Sequence, residues 1–220
     1  MLEVKHLVKR YGPIAAVNDV SFKIGKGEVL GFLGPNGAGK TTTMRMVTGF
    51  LPPTSGTALI GGHDIQKDPV SAKRLLGYLP ESAPAYESML VRNFLQFIAE
   101  VRGMRGAEAK SAVEAAIAKC RLEDVANRAI GHLSKGYRGR VGFAQAIIHD
   151  PPILVMDEPT DGLDPNQKHT VREMIKDMAS EKAIIVSTHI LEEVDAVCTR
   201  AIIISRGKIV ANGTPDELKA

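Results

Sequence analysis

Gly34 to Thr42, GPNGAGKTT, fits the phosphate-binding spacing G-x-x-x-x-G-K-[ST] through Gly34, Gly39, Lys40 and Thr41. Such a turn leaves a concave row of backbone N–H groups open to polyphosphate oxygens, and the dipole of a following helix adds positive charge there. Gly34, Gly37 and Gly39 carry no side chain to hold a phosphate off. Lys40 supplies a point charge for the terminal phosphates, and the Thr41 hydroxyl suits a magnesium ion bridging them. Further along, Asp157 and Glu158 end the apolar run ILVM. Adjacent carboxylates there divide two jobs: Asp157 holds magnesium through water, and Glu158 orients or deprotonates the attacking water. His189 ends a second apolar run, AIIVST, where its ring is placed to hydrogen-bond a terminal phosphate.

These groups need elements to bring them together. Val29 to Leu33 and the following TMRMVTGF make the phosphate loop a strand–loop–helix unit. Continuous apolar runs separated by helices such as Gln167 to Ala179 predict a parallel sheet covered on both faces, with ligands at the carboxyl ends of its strands. The loop, the carboxylate pair and His189 therefore converge on one site. Upstream, LEVKHLVKRY, AVNDVSFKI and the turn GKGE predict a β-rich start. Tyr11 precedes the Gly12–Pro13 turn, where an aromatic ring by itself signals packing. After the loop helix, Pro52, Pro53 and Gly56 break the chain before the strand TALIGG and the turn HDI. A short helix over Pro69 to Arg74 leads into LLGYLPE, a strand that stops at Pro80 and exposes Glu81.

From Ser82 to Leu133 the pattern is helical, and Ala109, Val113, Ala116, Ile117 and Cys120 recur on one face, predicting a helical subdomain inserted between strands. Ser134 is placed as the N-cap of a helix whose body is Arg138 to His149, closed by Asp150 and Pro151.

The 220 residues suffice for a substantial core, and 44% hydrophobic with 24% charged is ordinary for a globular protein. No apolar run reaches bilayer length and the N-terminus lacks a signal-peptide core, so a cytoplasmic location is expected. A membrane partner stays open, because a motor can dock on an integral protein. The net charge of +3 is dispersed and tryptophan is absent, which gives nucleic-acid binding little support. Cys120 and Cys198 lack CxxC spacing and fall on apolar sides of helical patterns, as reduced buried thiols do.

With these residues assembled, the sequence closely resembles the ATP-binding subunits of ABC transporters, over essentially the whole chain and in the family's order. Tyr11 matches the adenine-stacking aromatic, GPNGAGKTT Walker A, GYLPE the Q-loop, LSKGY the signature, ILVMDEPT Walker B, DGLDP the D-loop and STH the switch histidine. The resemblance implies a P-loop NTPase of the α/β class: a RecA-like parallel-sheet core, an N-terminal antiparallel β subdomain and an inserted α-helical subdomain at 82–133, within one ABC ATPase domain spanning 1–220. It implies ATP contacts at Tyr11, Val17, Gly34, Asn36, Gly37, Ala38, Gly39, Lys40, Thr41 and Thr42. Magnesium falls to Thr41, Glu81 and Asp157, and catalysis to Glu158 and His189.

Two such cassettes are implied to face head to tail, as a homodimer or with a paralogous cassette, each ATP lying between Walker A of one and Ser134, Gly136 and Asp164 of the other. A transmembrane permease subunit is the implied partner on the cytoplasmic face of the membrane, gripping a groove near Glu81 to Leu90. Lys135 and Tyr137 depart from the common LSGGQ signature, Glu81 from the usual glutamine, and Gly139 from the glutamine often found between Arg138 and Arg140. The motifs look most like single-cassette subunits of type-2 exporters of the multidrug, gliding-motility and polysaccharide kind. Those often continue past this domain, so a chain ending after GTPDELKA is expected to be either a compact member or a piece ending at the domain boundary. The alternative is a non-transport ABC ATPase of translation or DNA repair, normally two cassettes or a coiled-coil insert. A regulatory module without turnover would lack Glu158 or His189.

Overall fold

Alternating apolar residues in the first sixty positions build the outer sheet of a computed structural model that describes residues 1–82 and 85–219. Strands β1 (Leu2–Tyr11) and β2 (Ile14–Ile24) form an antiparallel pair, followed by β3 (Val29–Leu33) and helix α1 (Lys40–Val47). β4 (Ser55–Ile60) and the two-residue β5 (His63–Asp64) complete a four-stranded sheet in the order β2-β1-β4-β5. Then come α2 (Pro69–Arg74), β6 (Leu76–Leu79), α3 (Val91–Val101) and α4 (Gly106–Lys119). The second half runs α5 (Lys135–Ile147), β7 (Ile153–Asp157), α6 (Pro165–Ala179), β8 (Ala183–Thr188), α7 (Leu191–Val197), and the hairpin β9 (Arg200–Ser205) and β10 (Lys208–Gly213).

β3 lies inside a six-stranded sheet ordered β10-β9-β3-β8-β7-β6, parallel except for the β9–β10 hairpin. Ile153, Val155 and Ile185 enter one core, shared with Leu30, Phe32, Met44 and the outer sheet. Leu154, Met156, Ile184 and Val186 point the opposite way, into a core shared with α3, α4, α5 and α6. Period-two alternation along strands apolar on both faces is what places them between two layers. The parallel strands thus deliver Leu33, Leu79, Asp157 and Thr188 to the same edge of the sheet.

α5 starts at Lys135, one turn ahead of the expected body, because the Ser134 hydroxyl accepts from the Tyr137 N–H at 3.3 Å and caps it. The Asp164 carboxylate caps α6 by accepting from the N–H groups of Asn166 and Gln167 at 3.0 and 3.1 Å. Glu193 of α7, 3% exposed, accepts from Arg172 of α6 through Nε at 2.9 Å and Nη2 at 2.7 Å. That bidentate pair fixes the helix following β8 to the helix following β7. Cys120 is buried as expected, whereas Cys198 is half-buried, because α7 ends at Val197 and the chain turns into β9. Burial raises both thiols to about 12.

Candidate active site

α1 begins without a side-chain cap: its N-cap is Gly39 and its first turn carries no acid. The first intrahelical N–H to find a backbone acceptor is that of Thr43, bonded to the Gly39 carbonyl at 2.9 Å. The N–H groups of Lys40, Thr41 and Thr42 therefore face the cleft as the positive end of the helix. Gly39 is required there, because φ is 106° and a Cβ would press to 2.6 Å on the Ala16 carbonyl.

Asn36, Gly37, Gly39, Lys40, Thr41, Thr42, Glu81, Glu158 and His189 line one cleft of about 360 Å³. Ala16, which the sequence did not single out, and Asp161, the first residue of DGLDP, complete its wall. Asp161 had a local signal, since it follows the Walker B pair in the same acidic run, DEPTD. Gly34 and Ala38 are the buried frame of the loop, their N–H groups donating to the Thr188 carbonyl at 3.2 Å and the Pro35 carbonyl at 3.1 Å.

At the centre of the cleft, the Lys40 ammonium, 5% exposed, donates to the Gly34 carbonyl at 2.8 Å. It also lies 3.2 Å from Glu158 Oε1. The other carboxylate oxygen of Glu158 is 2.9 Å from His189 Nδ1. Glu158 takes a φ of 51°, unusual for a side chain of its size, and that left-handed step at the end of β7 turns its carboxylate into the cleft. Its N–H is held by the Ser187 carbonyl at 3.2 Å and hydroxyl at 3.1 Å, which stabilises the step.

Asp157, 1% exposed, pairs with Ser187 in register, and its Oδ1 accepts from the Ser187 hydroxyl. Its Oδ2 is buried with no hydrogen-bond partner among the described residues. A buried carboxylate oxygen left unpaired is costly unless a cation or ordered water meets it, so the donor set of Asp157 with the Thr41 hydroxyl fits magnesium. Burial, then the Asp157 charge, raises the neighbouring Tyr78 phenol to about 12, which keeps it neutral beside this site.

Val17 is wholly buried and packs behind Gly39, and the residue that lines the cleft from β2 is its neighbour Ala16. Successive strand residues point to opposite faces, which sets the two apart. Tyr11 ends β1 half-exposed, its ring 5.3 Å from the Lys9 ammonium, and is not part of the cleft wall. Ser134, Gly136 and Asp164 also lie off this wall, at the N-termini of α5 and α6.

A phosphate loop, a strand-end carboxylate pair and a histidine on one edge of a parallel sheet define the P-loop NTPase class. The sequence profile of the family described as ABC transporter matches residues 17–161, and the chain belongs to that family. It is 40% identical over 207 residues to the ABC transporter ATP-binding protein NatA of Bacillus subtilis (strain 168), covering 93% of this chain and 84% of NatA. It is 37% identical over 221 residues to the probable multidrug ABC transporter ATP-binding protein YbhF of Escherichia coli (strain K12). That match takes in 100% of this chain but only 38% of YbhF. A solved structure described as the ATP binding subunit of an ABC transporter superposes with a TM-score of 0.89 at 31% identity, covering 100% of this chain and 92% of that one. A dimeric ATP-binding cassette bound to ADP and Pi has the same fold, with a TM-score of 0.88 at 23% identity over 98% of this chain and 99% of that one.

Proposed function

We propose that the chain is the ATP-hydrolysing motor of an ABC exporter, one domain over 1–220 with 82–133 as its helical insertion. The observation that carries this is the meeting of Lys40, Glu158 and His189 in one cleft. ATP enters with its phosphates on the N–H groups that open α1, and the Lys40 ammonium moves from Glu158 to the incoming oxygens. Freed from Lys40, Glu158 accepts a proton from the water whose oxygen bonds the terminal phosphorus while the bond from that phosphorus to the bridging oxygen breaks and ADP leaves, and His189 donates a hydrogen bond to the terminal phosphate. Magnesium, held by Thr41 and Asp157 with Glu81 beside them, would neutralise charge on the phosphates. The off-cleft positions of Ser134, Gly136 and Asp164 suit contacts to ATP held by a second cassette, a homodimer or a paralogue, and Tyr11 suits stacking on adenine once nucleotide is bound.

No helix among the described residues is long and apolar enough to cross a membrane. In this reading a transmembrane permease subunit supplies the path, with this chain on its cytoplasmic face and no nucleic acid involved. Exposed Tyr86, Phe97 and Val101 offer an apolar docking surface, with Tyr86 edge-on to Phe94 and Phe97 at 6.3 and 5.9 Å between ring centroids. The expected partner loop over 81–90 includes Ala83 and Pro84, which lie outside the described residues. Relatives named for multidrug transport and Nod factor export support the outward direction.

The deciding experiment is co-purification of the tagged protein from its native membranes, with ATP hydrolysis measured with and without the integral protein that accompanies it. A partner that changes turnover supports the motor. Turnover accompanied only by ribosomes or nucleic acid would replace the motor with a non-transport ATPase.

A further inference from the structure

Lys135 stands where the family's common signature has a glycine, and its side chain, though largely exposed, bends toward the segment that follows β7. Its ammonium lies 3.6 Å from Asp161 Oδ2. It also lies directly over Gly162, whose φ is 64°, so closely that a Cβ at that glycine would fall on the Lys135 Nζ. One residue on, the Gly136 backbone abuts α6: a Cβ there would stand 2.7 Å from Gln167 Oε1, an oxygen that is buried with no hydrogen-bond partner among the described residues. The start of α5 and the segment from Asp161 to Gln167 are thus joined by a charge pair and by backbone packing. Asp161 also lines the nucleotide cleft, while Lys135 lines a second cavity of about 400 Å³ that shares Glu81, Glu158 and Asp161 with it.

We propose that Lys135 is a positioning residue that ties the signature helix to Asp161, so that occupancy of this chain's own cleft is felt at the surface offered to the second cassette's ATP. This rests on the head-to-tail arrangement proposed above. Nucleotide arriving in the cleft changes the charge facing Asp161, and the carboxylate carries Lys135, hence Ser134 and Gly136, with it. Both side chains are about half exposed, so the pair by itself is weak. The packing of Gly136 against the buried end of Gln167 lets a small shift of the segment Asp161 to Gln167 move the helix start with it, because close-packed contacts transmit displacement rather than absorb it.

The test is the ATP concentration dependence of hydrolysis for the full chain, beside ATP-driven dimerisation of the Glu158→Gln form followed by sedimentation. Lys135→Ala is expected to lower the Hill coefficient of the parent chain toward one. It should raise the half-maximal ATP concentration by about two- to fivefold, the range open to an exposed ion pair. Lys135→Arg should keep the cooperativity, and Lys135→Asp combined with Asp161→Lys should recover it from the level of either single change. An unchanged Hill coefficient in Lys135→Ala, with the dimer intact, overturns the link alone, as does an exchange variant no better than the single ones. Absence of an ATP-driven dimer in Glu158→Gln overturns the head-to-tail arrangement, and the link with it.

Discussion

Lys40 Nζ sits 3.2 Å from Glu158 Oε1, so the residue expected to hold phosphate and the residue expected to activate water form an ion pair. Both side chains are nearly buried, 5% and 10% exposed, so neither charge has much water of its own. On the proposed reading, phosphate takes the place of the carboxylate as the partner of Lys40, and that exchange frees Glu158 when nucleotide binds.

Glu158→Gln removes the proton acceptor and keeps the shape. Hydrolysis should fall by about a hundredfold or more. ATP binding should persist, and the closed dimer should accumulate because the bound nucleotide is no longer consumed. Single-turnover hydrolysis with radiolabelled ATP measures the first effect, and gel filtration with ATP the second. Ordinary turnover in this variant would remove Glu158 from catalysis.

Lys40→Ala acts on binding itself. Losing a charge-assisted contact to phosphate should cost about 1.5–3 kcal/mol, roughly ten- to a hundredfold in nucleotide affinity. Calorimetric titration with ATP and with adenosine separates the cases: adenosine affinity should hardly move. Equal losses for both ligands would mean that Lys40 supports the fold of the loop rather than the phosphate.

His149 gives the chain a pH dependence away from the cleft. Its Nε2 lies 3.1 Å from the Leu76 carbonyl, and its Nδ1 is buried without a partner among the described residues. Burial, then the Arg102 charge, lowers the ring to about 4 from its ordinary 6.5. A base depressed on folding is neutral in the native chain, so its contribution is complete above pH 6.5 and is lost as pH falls toward 4. Allowing for partial exposure, the loss is about 1–2 kcal/mol. Urea midpoints at pH 7 and pH 4.5 should differ less in His149→Gln than in the parent chain.

Gly139 occupies the middle of α5, has ordinary helical φ, and a Cβ there would meet nothing within 4 Å. Gly139→Ala should therefore stabilise the protein by about 1 kcal/mol, the difference in helix propensity, with melting raised by about 2–4 °C. Scanning calorimetry checks it. A lowered melting temperature would mean that the position does not tolerate a side chain.

The chemistry was legible in sequence wherever it depends on neighbours along the chain. The loop from Gly34 to Thr42 needs only glycine spacing and a following helix, and the ends of β7 and β8 are marked where apolar runs give way to Asp157, Glu158 and His189. Ser134 could be placed as a cap for the same reason, since capping is completed within one turn. What the tertiary structure decided lies between distant segments. Which of Ala16 and Val17 faces the cleft depends on a β1–β2 register broken by irregularities between Leu7 and Lys9 and again before Arg10, and each slip exchanges the two faces of a strand. The pairing of Glu158 with Lys40 depends on a left-handed backbone step held from β8 by Ser187. Lys135 was visible as a departure from a motif, but its hold on Asp161 arises only where the starts of α5 and α6 pack together, a contact that no local spacing encodes.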